Sequence, residues 1–375
     1  MPRNLVLYGL GHTNADLVRR FAEHPIPGCR LICVSKFPKA TYSGMLPAVL
    51  AGQFPETAMQ IDLRSLTKHA GGDLRIDDLE SADLQNRTIT LKESGTLAYD
   101  ILSIGVGSVP KGDSAVMNQP CVLPIKPMQT FLARLLGRLA VLKETPGRKV
   151  SIVIVGGGVA GVEIAFCLRR RLIDDYPELT FQLKILSAGD TIATGMTDKS
   201  VRRLEGLLRH ADVQLSLGKR AENISDGVLL ASDGTSHDCD LCIWATGASA
   251  PNVLGRMTAA KDDAGFLATR PTLQLVDHPE VFAVGDAGTC LERPHPKAGV
   301  YAVRQSPILW HNLNAQLNQR ALKSFQPQKD FLRLVNTGDG KALAQYRRWT
   351  LHHRGCLWLK NRIDLGFLHQ HDLDG

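Results

Sequence analysis

Two glycine-turn stretches and the matched strands that follow them predict an α/β fold. It comprises two Rossmann-like dinucleotide-binding domains and a short C-terminal α+β region. "NLVLYGLGHTNADL" (4–17) reads as a strand, a glycine turn and the start of a helix. "SIVIVGGGVAGVEIAFCLRRR" (151–171) repeats that plan with the full Gly156-x-Gly158-x-x-Gly161 spacing. Each is followed by a similar second segment, "YDILSIGVGSVP" and "CDLCIWATGASAPN". Asp100 comes 91 residues after Gly9, and Asp240 comes 84 after Gly156. Both segments read as acid, buried strand, glycine, then a turn ending in proline. One such loop is a weak signal, but two with matched following strands make an internal repeat.

The first loop offers Gly9, Gly11, His12 and Thr13, with Asn14 in the place of a third glycine. In such loops the first glycine permits the tight turn and the second lets backbone amides approach a pyrophosphate. The third lets helix and strand pack closely, with the phosphate at the positive helix N-terminus. Asn14 is therefore expected to disturb helix packing more than phosphate contact. Gly105 and Gly107 in the first follow-on strand and Gly247 in the second are expected to border the two nucleotides.

Composition excludes several classes. At 375 residues, 44% apolar and 22% charged, the chain has the balance of an ordinary soluble globular protein with room for two or three domains. A net charge of +7 favours anionic ligands and leaves loose contact with acidic membrane surfaces open. Eight cysteines without a framework argue against a disulfide-stapled secreted protein. The most apolar stretch, "SIVIVGGGVAGVEIAFCL", carries three consecutive glycines and Glu163, so it reads as strand-turn-helix rather than a membrane span. No cleavable leader is evident, and a cytoplasmic location is expected.

"TLQLVDHPEVFAVGDAGTC" supplies the third signal: the strand 281–284 ends in Gly285-Asp286. With this, the chain resembles the two-dinucleotide-domain flavoproteins, the pyridine nucleotide-disulfide oxidoreductase superfamily in its non-disulfide branch. "TYSGMLPAVLAG", "PIKPMQTFLARL", "PKAGVYAVRQSP" and "WLKNRID" resemble most closely the flavoprotein modules fused to selenide, water dikinase, which are relatives of type II NADH dehydrogenases. The resemblance implies FAD in the first domain and NADH or NADPH in the second. It also implies that Asp286 holds the ribityl chain and that the Tyr42–Pro47 loop, with Met45, lies against the isoalloxazine. Gly299 and Val300 would then begin a helix facing the flavin's pyrimidine edge. Positive helix-end potential and Lys297 would stabilise charge on the reduced ring. The implied layout is FAD-binding over 1–112 and 249–310, NAD(P)-binding over 113–248, and a C-terminal region over 311–375.

Donor and acceptor are read from single positions. An acid at the end of the second strand normally binds a ribose hydroxyl. Here the first unit offers Ser35 and Lys36, and the second offers Ser187 with no acid until Asp190. NADH against NADPH stays open, and Arg169, Arg170 and Arg171 read as a solvated helix face. Glu163, by resemblance, lies near nicotinamide and flavin. Cys239 and Cys242 read as buried core thiols, and no metal site is expected. Of the two glutamines that flank the quinone in type II NADH dehydrogenases, Gln305 matches one and Tyr301 replaces the other.

"YRRWTLHHRGCLWLKNRID" reads as a hairpin around Arg354-Gly355 packed on the flavin domain rather than a nucleic-acid surface. His352, His353, His369 and His371 read as surface residues. The expected reaction is hydride transfer from NAD(P)H to FAD, then electron transfer to a quinone-like or other small-molecule acceptor. The alternatives are reduction of a selenium or sulfur compound, or a flavin-bearing partner protein without turnover. A homodimer is left open.

Overall fold

The computed structural model describes residues 2–144, 147 and 149–372. The first unit opens with β1 (Arg3–Tyr8), α1 (His12–Glu23), β2 (Cys29–Ser35), β3 (Asp73–Ile76) and β4 (Ile101–Ile104). The second contains β5 (Val122–Pro124), β6 (Val150–Val155), α2 (Val159–Asp175), β7 (Phe181–Leu186), β8 (Val213–Ser216) and β9 (Leu241–Trp244). The chain then returns to the first sheet with β10 (Val281–Ala283) and α3 (Gly299–Leu317). The order is β10-β4-β1-β2-β3 in one five-stranded sheet and β5-β9-β6-β7-β8 in the other, and every pairing within them is parallel. Helices cover one face of each sheet and inserted antiparallel strands the other, so β4 and β9, "ILSI" and "LCIW", are buried along their whole length.

The internal repeat extends to hydrogen bonds. Asn4 N–H donates to the Asp100 carboxylate at 2.6 Å, and Ser151 N–H donates to that of Asp240 at 2.8 Å. Each acid thus locks the start of the follow-on strand to the strand that feeds the glycine turn. Between β3 and β4 in the first unit, and between β8 and β9 in the second, the chain inserts a three-stranded antiparallel meander, 79–98 and 221–238. Where the chain crosses between units, Val109 pairs with Ser249 and Pro110 with Ala248.

The C-terminal region departs from expectation in its turn. The antiparallel strands β11 (Arg333–Asn336), β12 (Ala342–Tyr346) and β13 (Trp349–His353) are followed by α4 (Arg354–His369). The hairpin therefore turns at Arg347-Arg348, and Arg354-Gly355 opens a helix. His353 caps that helix by accepting from Gly355 N–H at 3.0 Å, a local signal that outweighs the strand-like alternation before it. The hairpin docks on the second unit, where Gln345 accepts from Thr197 N–H at 2.8 Å and Thr350 pairs with Ser200. The first unit is reached by α4 and by Asn336 of β11, whose Nδ2 donates to Gln53 at 2.9 Å.

His371 is buried against Phe367 and His352 is held by Thr337, so neither is the surface residue its sequence context suggests. Arg171 likewise leaves the solvated face and donates to the Val49 and Leu50 carbonyls of the first unit. No helix among the described residues is long and apolar enough to cross a membrane.

Candidate functional site

Both glycine turns end on the carboxyl edges of their sheets, where α1 and α2 begin. Neither helix has a side-chain cap at its first residue, so the amides of each first turn stay available to an anion. Gly9 sits at φ +80°, and a Cβ there would come within 2.7 Å of Val106 N. Gly156 lies at φ +126°, and a Cβ on Gly161 would overlap the Gly156 carbonyl oxygen. These are cradles that only glycine allows, and they fit a pyrophosphate in each unit.

Asn14 solves the same packing problem differently. It is fully buried, and its Nδ2 donates to the carbonyls of Gly9 (2.9 Å) and Ser103 (3.3 Å). Its Oδ1 accepts from Ser103 Oγ at 2.8 Å. The side chain thus ties helix, loop and β4 together. The expected disturbance of packing is replaced by a polar staple between helix, loop and strand. His12, beside it, accepts from Ser43 N–H at 3.3 Å, which ties the first loop to the 42–47 loop. Burial is the largest influence on this imidazole and lowers its pKa to about 4, against the pull of Asp286.

A cleft of about 1500 Å³ opens between the two units. Among the residues singled out from sequence, Pro47, Gly156, Gly158, Glu163, Gly247, Asp286, Lys297, Gly299 and Tyr301 are on its wall. Gly9, Gly11, Thr13, Asn14, Ser35, Lys36, Gly105 and Gly107 lie off that wall, around the end of β1. Ser35 Oγ donates to the Phe37 carbonyl, and Lys36 pairs with Asp78 at 3.1 Å. Met45 is fully buried, and Tyr42 stacks on Phe367 at 4.5 Å and donates to Asp364.

Asp286 faces the cleft within a cluster that sequence reasoning did not anticipate. Ser108 Oγ donates to its carboxylate at 2.6 Å, and Lys126 Nζ lies 2.6 Å from Ser108 Oγ and 3.3 Å from Asp286. Lys126 falls inside "PIKPMQTFLARL", so the residue was in view, but nothing local tied it to an acid 160 residues away. The Gly285-Asp286 turn is fixed from below by Gln305, 2% exposed, whose Oε1 accepts from Gly285 N–H at 2.6 Å. Gln305 therefore sits under the turn, while Tyr301, one helical turn earlier, faces the cleft. Thr13 and Asp16 of α1 bond Ala302 and Ser306 of α3, which brings the Gly-Asp turn to the first loop.

Lys297 Nζ donates to Gly288 O (2.6 Å) and Thr289 Oγ1 (2.8 Å) and stands over the Phe266 ring. Burial lowers its pKa to about 8, against the pull of Asp286 and Asp262. The neighbouring start of α3 has no side-chain cap, so its Gly299 end adds positive potential to the same wall. Tyr301 donates to the Gln328 carbonyl, and His295 and Phe331 pack around its ring. No cysteine is on the cleft wall among the described residues.

Glu163 is buried in an ionic cluster under the cleft. Its carboxylate accepts from Asn336 N–H at 2.8 Å and lies 3.8 Å from Lys360, which is 3.1 Å from Asp364 and donates to Gly44 O at 2.9 Å. Burial pushes the Glu163 carboxyl up against the pull of Lys360. Burial also opposes the Lys360 charge, but the two carboxylates outweigh it and hold the ammonium above its ordinary range. Lys360 and Asp364 stand in "WLKNRID", where only α4's docking reveals their partner.

Residues 9–312 match the pyridine nucleotide-disulphide oxidoreductase family model. NADH dehydrogenase-like protein YutJ of Bacillus subtilis is 20% identical over 87% of this chain and 87% of its own. The alternative NAD(P)H-ubiquinone oxidoreductase C1 of Arabidopsis thaliana is 25% identical over 69% of this chain, which spans about half (52%) of that protein. Two solved structures share the fold. The sulfide:quinone oxidoreductase of Aquifex aeolicus superposes with a TM-score of 0.82 at 15% identity, over 98% of this chain and 91% of that one. NDH2 of Plasmodium falciparum in complex with NADH gives 0.81 at 13% identity, over 100% and 99%.

Proposed function

Since the chain belongs to the pyridine nucleotide-disulphide oxidoreductase family, we propose that it is an FAD-dependent NAD(P)H oxidoreductase passing electrons to a quinone-like acceptor. One observation carries this reading: the Gly156 cradle lines a cleft that also holds Asp286 and Lys297, and the Gly9 cradle lies behind it, bonded through Thr13 to the helix that fixes the Gly285-Asp286 turn. When bound, FAD supplies the hydride and electron chemistry, and the protein supplies orientation and charge. The amides after Gly9 and Gly11 receive one pyrophosphate, and Asp286, backed by Ser108 and Lys126, holds the polyol of the same cofactor. The Gly156–Gly158 turn receives the nicotinamide nucleotide on the opposite wall.

Lys297 and the amino end of α3 stabilise negative charge at the reduced ring. Tyr301, His295 and Phe331 line the cleft with three aromatic rings inclined at 51° and 77° to one another, an apolar wall for a quinone-like acceptor. A cleft wall without thiols disfavours a disulfide relay.

The test is spectroscopic. The purified chain should be yellow or take up added FAD, and anaerobic mixing with NADH or NADPH should bleach the flavin. Reoxidation by a water-soluble quinone should then be faster than by a persulfide. Colourless protein that refuses FAD would end this proposal.

A further inference from the structure

The nucleotide wall of the second unit carries information that no single sequence position holds. Ser187 follows β7 directly and packs against the phosphate loop, since a Cβ on Gly157 would lie 2.6 Å from its Oγ. It therefore stands where the ribose of a nucleotide held by that loop must end. The next acid, Asp190, is exposed and turned aside: its Oδ1 lies 3.1 Å from a Cβ built on Gly218, and it is not on the cleft wall.

The following loop is laced to this one by backbone bonds. Ser187 N–H donates to Ser216 O, Gly218 N–H to Gly189 O and Lys219 N–H to Ser187 O, at 2.9 to 3.0 Å. That lacing sets Lys219 and Arg220 on the cleft wall next to Ser187, from a segment 32 residues further along the chain. The Lys219 ammonium already has Asp233 at 2.7 Å. The Arg220 backbone is pinned to Ser232 by a pair of hydrogen bonds, N–H to Oγ at 3.0 Å and carbonyl to N–H at 2.9 Å. No carboxylate lies within ion-pair reach of its exposed guanidinium among the described residues.

We propose that Ser187, Lys219 and Arg220 form a 2′-phosphate subsite, so that the electron donor is NADPH rather than NADH. The inference rests on the oxidoreductase reading and names the donor for it. An NADH site carries a carboxylate for the two ribose hydroxyls at the end of this strand, whereas here Ser187 stands there beside Arg220 and a Lys219 that Asp233 pairs. Guanidinium binds a phosphate dianion through paired, charge-assisted hydrogen bonds and would repay its exposure here by doing so. Glu222, on the same wall, is the group that would serve a ribose hydroxyl if the site took NADH instead.

Calorimetric titration of the full-length protein with 2′,5′-ADP and with 5′-ADP separates these cases without turnover. The 2′-phosphorylated probe should bind roughly 10- to 100-fold more tightly. Arg220→Ala should remove most of that difference while leaving 5′-ADP affinity unchanged, and Arg220→Lys should restore part of it. Equal affinities, with NADH bleaching the flavin and Glu222→Gln weakening 5′-ADP, would overturn the subsite and leave the oxidoreductase reading standing. If neither probe binds and neither nicotinamide bleaches the flavin, the reading itself falls, and the subsite with it.

Discussion

Lys297 combines an ammonium whose pKa burial lowers to about 8 with a place on the cleft wall, so its charge is present at neutral pH and lost as pH rises through that value. The rate of flavin reduction should therefore fall as pH rises through about 8. Lys297→Met should start lower and show no such limb, whereas Lys297→Arg should stay charged and flat. A limb that survives in the Met variant would assign it elsewhere. Asn14 yields a stability prediction at the same scale. Asn14→Ala strands the buried polar groups of Gly9 and Ser103 that it satisfies and should cost about 1–3 kcal/mol in urea unfolding. Gly161→Ala in the second loop should be worse, because the added methyl meets a backbone carbonyl that cannot retreat without moving α2.

Among the elements, α4 decides most, because it fastens the C-terminal region to both the 42–47 loop and α2. Lys360 is the fastener. Lys360→Met would leave Glu163 and Asp364 buried without their cation, which costs about 3–5 kcal/mol for a pair of this kind. Thermal unfolding should show the loss. The triple variant with Glu163→Gln and Asp364→Asn should recover much of it, since removing all the charges is milder than orphaning some. A strictly additive series would mean that the three groups do not act together. The two glycine turns, the matched acids and the Gly-Asp turn were legible in the sequence because each is a local pattern with a local cause. The helix at 354–369 was not, because the alternation of "WTLHH" runs straight into it and the cap at His353 is a single-residue signal.

On the scale of the whole molecule, acid should unfold the protein through its histidines. Burial lowers the pKa of His12, His295, His352 and His371 in the folded state. A depressed pKa means stability that is complete above the unfolded value of about 6.5 and lost as pH falls through the folded value, about 4 for His12. The urea midpoint should thus drop steadily from pH 6.5 towards 4, and His12→Gln should flatten part of that slope. A midpoint unchanged down to pH 5 would contradict this account.

The sequence alone determined the two-unit architecture, the cradles at Gly9 and Gly156, and the turn at Asp286, because backbone geometry demands particular residues at fixed local spacing. Tertiary structure alone decided which groups the cations meet. Lys126 meets Asp286 and Lys360 meets Glu163 across 160 and 197 residues of chain, and the Lys219 backbone is bonded to the Ser187 carbonyl from 32 residues further on. Charges on flexible stems carry no periodic signature, and their partners are set only when sheets and helices have closed around them.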